Sequence, residues 1–574
     1  MKIRDNIAFF TFALSLFTLF LHRFYDERFV RIIIHFTDLL IFIFILAETF
    51  LPAKEEKYIR KYFQKNAVSC ILTLIFCTVF VYLKLKIIFV NNPQELNLIF
   101  SLFKNIFLAA KVIQKIKQNS GLTKKLISNP ARTLIISFLM VIIIGCFLLM
   151  LPAASAKQRP LDFLTALFTA ASAVCVTGLS TIDISTELSV TGKFILISLI
   201  QIGGLGIMVF SFFGMLAFRK KLSVADKITV SYMVSEDDMS GLFKALRVII
   251  FSTFLIETIS ALFLFIAFSK KIGFGIKALG FSFFHSVSAF CNAGFALFSN
   301  NLESFTADPL INFTIGFTII LGGISFAVIY DITGKMTSIL KNIFFKKKTA
   351  PYFLSFNAKI ILTMTLILLL ISFILFYLLE HTNTMKDFCL GKQYLAAFFQ
   401  AVTLRTAGFS TISFSSLRNS TLLFMIFIMF IGGASGSTAG GIKLSTVAVV
   451  TAFFKSFLQN TDAIVIKKMT IPEEQVKKSF LIFGFGLCVI FTGIFLLTVT
   501  EDIPFLPIAF ETVSAFATVG LSTGITGLLS SAGKVVIICL MFIGRVGPLT
   551  ILTAAGKKRR DNAIEYPYGN IAVG

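Results

Sequence analysis

The chain has 574 residues, of which 56% are hydrophobic and 14% charged, and its mean hydropathy is +0.88. A soluble domain is nearer half apolar and about a quarter charged, so this composition excludes a soluble protein and predicts an integral membrane protein. The formal net charge of +24 does not indicate a nucleic-acid partner. The lysines and arginines stand in short loops between apolar runs, where the excess of positive charge on the cytoplasmic side of a membrane accounts for them.

The first 128 residues are predicted to form a module of four transmembrane helices. The candidate helices are 6–21, 29–51, 67–90 and 96–113. The two loops 52–66 and 116–132 are basic and are therefore predicted to lie in the cytoplasm. This placement agrees with four crossings from a cytoplasmic N-terminus.

Three lysines in or just after the fourth of these helices have two interpretations. Lys104, Lys111 and Lys115 could form a voltage-sensor-like array, because charges inside a membrane are expensive and often functional. Alternatively, Lys104 pairs with an acidic partner, and Lys111 and Lys115 extend to the cytoplasmic surface. Asp38 and Glu48 lie in the second helix, and the irregular lysine spacing favours the second interpretation.

From residue 129 onward the chain repeats one pattern four times: an apolar span, a short apolar segment, a glycine-centred turn and a second apolar span. We assign the repeats to 129–235, 236–350, 351–470 and 471–574, the last with a cytoplasmic tail. The first spans are 133–151, 248–268, 358–379 and 480–499, and the second spans are 192–216, 310–329, 421–451 and 534–553. The short segments, 161–172, 276–288, 394–402 and 505–514, are too brief to cross a bilayer and predict re-entrant pore helices.

The glycine-centred turns predict four quarters of an ion selectivity filter around one axis. Their residues are Val176, Thr177, Gly178, Asn292, Ala293, Gly294, Thr406, Ala407, Gly408, Thr518, Val519 and Gly520. A dehydrated alkali cation needs oxygen ligands in place of water, and rings of backbone carbonyls supply them in potassium-type filters. Glycine adopts the positive φ angles that such a backbone requires at least cost. None of these residues is acidic, so the predicted ligands are carbonyl oxygens.

A second glycine landmark lies in each second span. The glycines are Gly203, Gly322, Gly432 and Gly544, each 24 to 28 residues after the glycine of its turn (178 to 203, 294 to 322, 408 to 432, 520 to 544). Close helix packing through small residues explains glycines of this kind. It does not explain their near-constant distance from a turn, which supports the four-repeat register.

These motifs resemble the Trk/Ktr/HKT superfamily of potassium transporters, and most closely the bacterial Ktr membrane subunit. The resemblance covers about residues 129 to 560, and it is carried by the segments 173–180, 284–295, 405–409 and 515–522. It implies an all-α integral membrane protein with four pseudo-symmetric membrane-pore-membrane repeats around one pore. The four N-terminal helices lie outside it.

The resemblance also implies how the protein works. It implies a homodimer in the plasma (inner) membrane with one pore per protomer, gated by a cytosolic ring protein that binds nucleotide. Potassium at the filter carbonyls is the transported ion, and the chain itself holds no cofactor. In the superfamily, serine at the first filter position accompanies sodium preference, so Gly178 favours potassium.

The third second span contains a run of small residues that predicts a broken helix. Its predicted gate residues are Gly432, Gly433, Ser435, Gly436, Ser437, Thr438, Gly440 and Gly441. Each glycine costs a helix roughly 1 kcal/mol relative to alanine. The resemblance implies an intramembrane loop that lies under the filter and moves during gating; the alternative is close helix packing.

Four charged or polar residues near the filter receive separate predictions. Arg545 stands where the other repeats have a second glycine, and we expect it to bind carbonyls or hydroxyls of the loop and to form a barrier to cations. Arg405 precedes the third filter glycine, and we expect a structural ion pair with Glu511 on the fourth pore helix. His285 is predicted to be packed rather than reactive.

Two acidic residues, Asp183 and Glu187, follow the first filter segment. They could enrich cations at the outer mouth or be ordinary loop charges, and we favour the second.

No enzyme is predicted, because the chain has neither a nucleotide-binding Gly-rich motif nor an acid–base cluster. Besides potassium uptake, two functions remain open from the sequence: a sodium-coupled or sodium-translocating transporter, and a membrane sensor that acts through the N-terminal helices.

Overall fold

The computed structural model describes residues 130–206, 242–345 and 353–556 without interruption, residues 28–55 and 76–82, and positions 11, 14, 15, 18, 73, 74, 104, 107 and 108. Helices make up nearly all of the regular structure in these ranges. In chain order they are α1 (Arg28–Glu55), α2 (Pro130–Leu149), α3 (Phe163–Val174), α4 (Ile184–Glu187), α5 (Val190–Leu205), α6 (Leu242–Ile272), α7 (Ile276–Phe290), α8 (Pro309–Gly323), α9 (Phe326–Phe345), α10 (Phe356–Glu380), α11 (Leu390–Thr403), α12 (Asn419–Phe430), α13 (Leu444–Leu458), α14 (Glu473–Thr500), α15 (Phe505–Phe516), α16 (Ser531–Val546) and α17 (Pro548–Ala555).

A short hairpin between α13 and α14 holds the only strands in the described part of the chain. Strands β1 (Val465–Ile466) and β2 (Met469–Thr470) pair antiparallel. Lys467 and Lys468 between them both have positive φ, the conformation that a two-residue hairpin turn requires.

Four helices of the described ranges are long and apolar enough to cross a membrane. They contain Ala131–Leu149, Val248–Ile272, Phe356–Glu380 and Glu473–Thr500. They correspond to the four predicted first spans. Only 22% to 33% of the most apolar window of each is buried inside the chain, so most of its surface faces outward, as a lipid-facing helix requires.

The four predicted re-entrant segments are short helices, as expected. Helices α3, α7, α11 and α15 have 12 to 15 residues, so at 1.5 Å per residue they reach about 18–22 Å, less than the ~30 Å of a hydrocarbon core. Each packs against the first span of its own repeat, and their last turns are buried. They therefore end inside the protein, where the glycine-centred turns begin.

The second spans that the sequence predicts are not single straight helices. The predicted span 310–329 is two helices, α8 and α9, bent by 108°, and 534–553 is likewise α16 and α17, bent by 92°. Helix α5 ends at Leu205, where Gly206 has a φ of 81°, and the rest of the predicted span 192–216 lies outside the described residues. Gly547, also with positive φ, and the following Pro548, which has no N–H, end α16 in the same way.

The third second span is interrupted where the sequence predicts it. Helix α12 ends at Phe430 and α13 begins at Leu444, with the glycine-rich loop, residues 432–441, between them.

The contacts of the landmark glycines in the second spans explain why they follow the glycines of the turns at a nearly constant distance. A Cβ on Gly203, Gly322 or Gly544 would lie 2.1, 1.9 and 1.6 Å from the last carbonyl oxygen of the short helix of the same repeat, that of Val174, Phe290 and Phe516 respectively. In these three repeats the second helix therefore crosses the short helix at one fixed point, where only glycine fits. Gly432 is the exception, because its Cβ would instead meet the carbonyl of Gly440 within the loop, 1.9 Å away.

In the N-terminal part of the chain, Lys104 pairs with an acidic residue, as the second interpretation predicts. Its Nζ donates to a carboxylate oxygen of Asp38 and to Thr18 Oγ1 at 2.8 Å. The side chains of the ion pair are 0% and 2% exposed. Lys111 and Lys115 lie outside the described residues.

Candidate functional site

The four predicted filter segments meet in a closed ring. A Cβ on Gly178 would lie 2.4 Å from Ala293 O, and one on Gly294 would lie 2.7 Å from Ala407 O. The same relation continues from the third segment to the fourth and from the fourth back to the first: the Cβ of Gly408 would lie 2.7 Å from Val519 O, and that of Gly520 would lie 1.9 Å from Thr177 O. Every glycine thus touches the carbonyl that precedes the next glycine, and no side chain larger than hydrogen fits at these four positions.

The four segments also share one unusual backbone conformation. Positive φ occurs at the glycine and again two residues earlier: Val176 (57°), Gly178 (96°), Asn292 (58°), Gly294 (70°), Thr406 (64°), Gly408 (75°), Thr518 (51°) and Gly520 (87°). The sequence predicts this at the glycines but not at the four residues with side chains. A side chain in this region costs about 1–3 kcal/mol, and such strain is kept where the surroundings over-determine it, often at functional sites.

Hydroxyl groups at the ends of the short helices hold the segments in place, and sequence reasoning missed them. Ser172 and Ser514 accept hydrogen bonds from the amides of Gly178 and Gly520, both at 3.1 Å. Ser288 donates to Phe295 O at 2.9 Å, and Thr403 donates to Phe409 O at 2.6 Å. The signal was available: a Ser or Thr precedes each glycine by six residues, or by five in the third repeat.

The glycine-rich loop lies against the entrance of the fourth segment. Gly440 is so close that a Cβ on it would lie 2.2 Å from Thr518 Oγ1. The loop closes on itself through Gly432 N, which donates to Ile442 O at 2.9 Å, and Leu444 N, which donates to Gly433 O at 3.0 Å. Most of its residues are buried.

The break between helices α8 and α9 in the second repeat supplies hydrogen-bond partners for the backbone of the loop. A helix end leaves its last carbonyls without helical donors. Ala434 N donates to Gly323 O at 3.1 Å, and Thr438 Oγ1 donates to Gly322 O at 2.9 Å. In return, Phe326 N at the start of α9 donates to Gly436 O at 3.1 Å. The break between α8 and α9 and the loop therefore satisfy each other's backbone groups.

Arg545 joins the loop to two other repeats. Its guanidinium donates to the carbonyl oxygens of Thr438 in the loop and of Gly203, and to Gly204 O at 3.2 Å. Gly203 and Gly204 lie in the last turn of α5, so the end of a helix is again the acceptor. Arg545 thus binds one carbonyl of the loop, that of Thr438, as the sequence predicts.

The predicted ion pair between Arg405 and Glu511 is not formed. Both side chains are buried, but the Arg405 Nε and Nη2 atoms and the Glu511 Oε2 atom have no partner among the described residues. The reason is that the carboxylate of Glu511 faces its own repeat, where its other oxygen accepts from the hydroxyl of Thr526. Arg405 is buried beside the third segment, as predicted, with its charge held by no carboxylate of the described chain.

His285 is packed, as the sequence predicts. It is fully buried among phenylalanine rings, with Phe268 and Phe298 at centroid distances of 5.3 and 5.1 Å. Its Nδ1 donates to Phe281 O at 2.7 Å and its Nε2 accepts from Leu297 N at 3.3 Å. Both ring nitrogens are therefore occupied, which fixes the tautomer.

The two acidic residues after the first segment serve the local structure. Asp183 caps α4 by accepting from Ser185 N at 2.8 Å, and Glu187 forms an exposed ion pair with Lys157 at 2.6 Å. These contacts agree with the favoured reading of ordinary loop charges.

The fold and the ring define a multi-pass membrane protein in which four short helices deliver glycine segments to one shared centre. Sequence comparison specifies the class further: the model of the TrkH family, described as a cation transport protein, matches residues 96–566. The chain belongs to this family. The match begins at residue 96, whereas the resemblance seen in the sequence motifs begins at about residue 129. The match therefore includes the predicted fourth N-terminal helix.

Several individual proteins are similar to the chain. The Ktr system potassium uptake protein B of Bacillus subtilis is 40% identical over 448 residues, which cover 78% of this chain and 97% of that protein. The potassium/sodium uptake protein NtpJ of Enterococcus hirae is 34% identical, with coverage of 78% and 97%. The crystal structure of the potassium transporter TrkH from Vibrio parahaemolyticus superposes with a TM-score of 0.62 at 17% identity, covering 85% of this chain and 97% of that one, which shows the shared fold.

Proposed function

We propose that this chain is the ion-translocating subunit of a potassium uptake system, and that potassium passes through the ring of the four glycine segments. The observation that carries the proposal is the ring itself, in which each of the four glycines touches a backbone carbonyl of the next segment around one centre. Rings of carbonyl oxygens replace the hydration shell of an alkali cation. The similar Ktr proteins of Bacillus subtilis and Vibrio alginolyticus are named as potassium uptake proteins, which supports the same ion here.

The control of transport is assigned to the glycine-rich loop and Arg545. The loop lies directly beside Thr518 at the start of a filter segment, so it would obstruct a cation that leaves the ring on that side. Arg545 adds a positive charge at the same level and ties the loop to α5. Shortening the loop within residues 434–439 should therefore raise flux. A loss of flux in a correctly folded variant would contradict this role.

A second part of the proposal concerns assembly. We infer a homodimer in the plasma membrane, controlled by a cytosolic ring protein that binds nucleotide. The similar proteins are named as members of Ktr systems, which supports a partner subunit. Purification of the chain with and without such a partner, followed by mass measurement in detergent, tests both points; a chain that is monomeric and transports at full rate alone would refute them.

The direct test of ion identity is flux in proteoliposomes. The full-length protein is reconstituted with potassium and sodium gradients in opposite directions, and each flux is followed with the membrane potential clamped. We expect potassium to cross at least tenfold faster than sodium. Faster sodium flux, or potassium flux that needs a sodium gradient, would instead support a sodium-linked function. The similarity to the potassium/sodium uptake protein NtpJ is the reason to test for it.

A further inference from the structure

A cavity of about 500 Å³ lies beneath the glycine-rich loop. Its walls include loop residues and the ends of helices α5, α9, α13, α16 and α17 that the breaks create. Three cationic side chains reach it: Lys443, Lys478 and Arg545. No Asp or Glu lines it in the described part of the chain.

Two of these cations are held by neutral groups alone. Lys443 Nζ donates to Ala439 O at 2.6 Å, and Arg545 contacts the carbonyl of Thr438, the neighbouring residue, together with those of α5. Neither has an ion pair with a described residue, whereas Lys478 is paired with Glu474 at 2.7 Å. Both side chains are partly buried, and a cation withdrawn from bulk water is normally paired with an anion, because an unpaired one carries a desolvation cost.

The N–H donors of Lys443 and Arg545 that make no contact with a carbonyl suit an oxyanion. A guanidinium has five N–H groups in a planar fork and an ammonium has three, so the carbonyl contacts leave donors of both groups unused. Guanidinium matches the geometry of phosphate oxygens, and lysine adds a point charge. Hydroxyl residues of the first turn of α13, Ser445 and Thr446, line the same space. A cavity of this volume exceeds what a single phosphate group needs.

We propose that this cavity binds an oxyanion of the phosphate class between Lys443 and Arg545. The phosphate group belongs either to an acidic lipid or to a free phosphate species. The bound anion supplies the negative charge that the described residues lack. If the proposed function holds, the anion also lowers the barrier that the two cations present to potassium, so that anion binding promotes transport.

Binding is tested on the full chain in nanodiscs of neutral phosphatidylcholine, by calorimetry with two separate probes. One probe is inorganic phosphate and the other is a short-chain phosphatidylglycerol, so the arm that binds identifies the source of the phosphate group. We expect saturable binding of at least one probe, weakened more than tenfold by Lys443→Gln and restored by Lys443→Arg. The Lys443→Arg variant keeps the positive charge at the same site. Restored binding in it would show that the loss in Lys443→Gln comes from the missing charge and not from misfolding.

Neighbouring lysines on α14 provide a matched control. Lys477 and Lys478 each pair with a glutamate one turn earlier, at 2.7 Å in both cases, but only Lys478 lines the cavity. Lys478→Gln should weaken binding severalfold and Lys477→Gln should leave it unchanged. The site is refuted if neither probe binds, if Lys443→Gln binds normally, or if the two α14 variants behave alike.

The calorimetric readout is independent of transport, so the failure of this site and the failure of the proposed function are distinguishable. Potassium flux of the same proteins, reconstituted in proteoliposomes of neutral phosphatidylcholine, should rise when the binding probe is added to the wild type and should not rise in Lys443→Gln. Intact binding with no change in flux would refute the link to transport.

Discussion

Replacing Gly178 by serine is the sharpest test of the ring. Gly178 has a φ of 96°, and a Cβ on it would lie 2.4 Å from Ala293 O. Since a carbon and a carbonyl oxygen normally approach to about 3.3–3.6 Å, the first and second segments must separate by roughly 1 Å. The unfavourable φ adds about 1–3 kcal/mol. A quarter of the ring would therefore be displaced and strained.

The expected result follows from this displacement. A filter discriminates through the distance and number of its carbonyl ligands. Each 1.4 kcal/mol corresponds to about tenfold in affinity, so a cost of 1–3 kcal/mol predicts a roughly 5- to 150-fold weaker apparent potassium affinity. We expect the potassium-to-sodium flux ratio in proteoliposomes to fall together with that affinity.

Gly524 offers a control with nearly the same backbone. Its φ is 98°, but no atom lies within 4 Å of the Cβ position. Gly524→Ser therefore introduces similar strain without moving a neighbouring segment, and it should keep the wild-type flux ratio. The assignment of the ring is refuted if correctly folded Gly178→Ser keeps wild-type selectivity, or if Gly524→Ser loses it to the same extent.

Three further predictions address the helix crossing, the loop and the N-terminal module. Gly322→Ala should sharply reduce the yield of folded protein, since its Cβ would lie 1.9 Å from the last carbonyl of α7, whereas Gly323→Ala, with its nearest contact at 3.4 Å, should fold normally; size-exclusion chromatography measures both. Arg545→Gln should raise potassium flux severalfold, because it removes a charge and the ties from the loop to α5. Lys104→Met should destabilise the protein by about 3–5 kcal/mol, measured by thermal unfolding, because it removes the cation of a buried ion pair; adding Asp38→Leu should recover part of this loss.

Controls separate these effects from general damage. Arg418→Gln removes an exposed hydrogen bond to Thr382 and should leave flux unchanged, so equal effects at Arg418 and Arg545 would contradict the assignment of Arg545 to the loop. A Gly322→Ala protein that folds as well as Gly323→Ala would show that the helix crossing tolerates a side chain. Full stability of Lys104→Met would mean that the ion pair contributes nothing.

The membrane class, the short helices and the members of the ring could be predicted from the sequence because each depends on local properties. Hydrophobic length decides what can cross a bilayer, and a 12-residue apolar segment cannot. Repetition identified the four glycines, since Gly178 and its counterparts each follow a short apolar segment at a similar distance. The packed state of His285 and the pairing of Lys104 also followed from the cost of burying polar groups.

Other features were decided by partners that are distant in the chain. The hydropathy of 310–329 is that of one continuous span, yet the helix breaks after Gly323 because the loop of another repeat donates to the carbonyls thus released. Arg405 and Glu511 have the charges of an ion pair, but the orientation of α15 turns Glu511 to Thr526 instead. Charge type alone does not specify which buried groups meet.

The sequence by itself determined that this is a membrane protein with four similar glycine segments and a loop unable to remain helical. Only the tertiary structure decided that the four glycines touch each other's carbonyls in one ring, that Val176 and its three counterparts share their strained φ, and that Lys443 and Arg545 face one cavity. The physical reason is that composition and spacing act along the chain, whereas steric closure and charge balance depend on atoms that folding brings together from all four repeats.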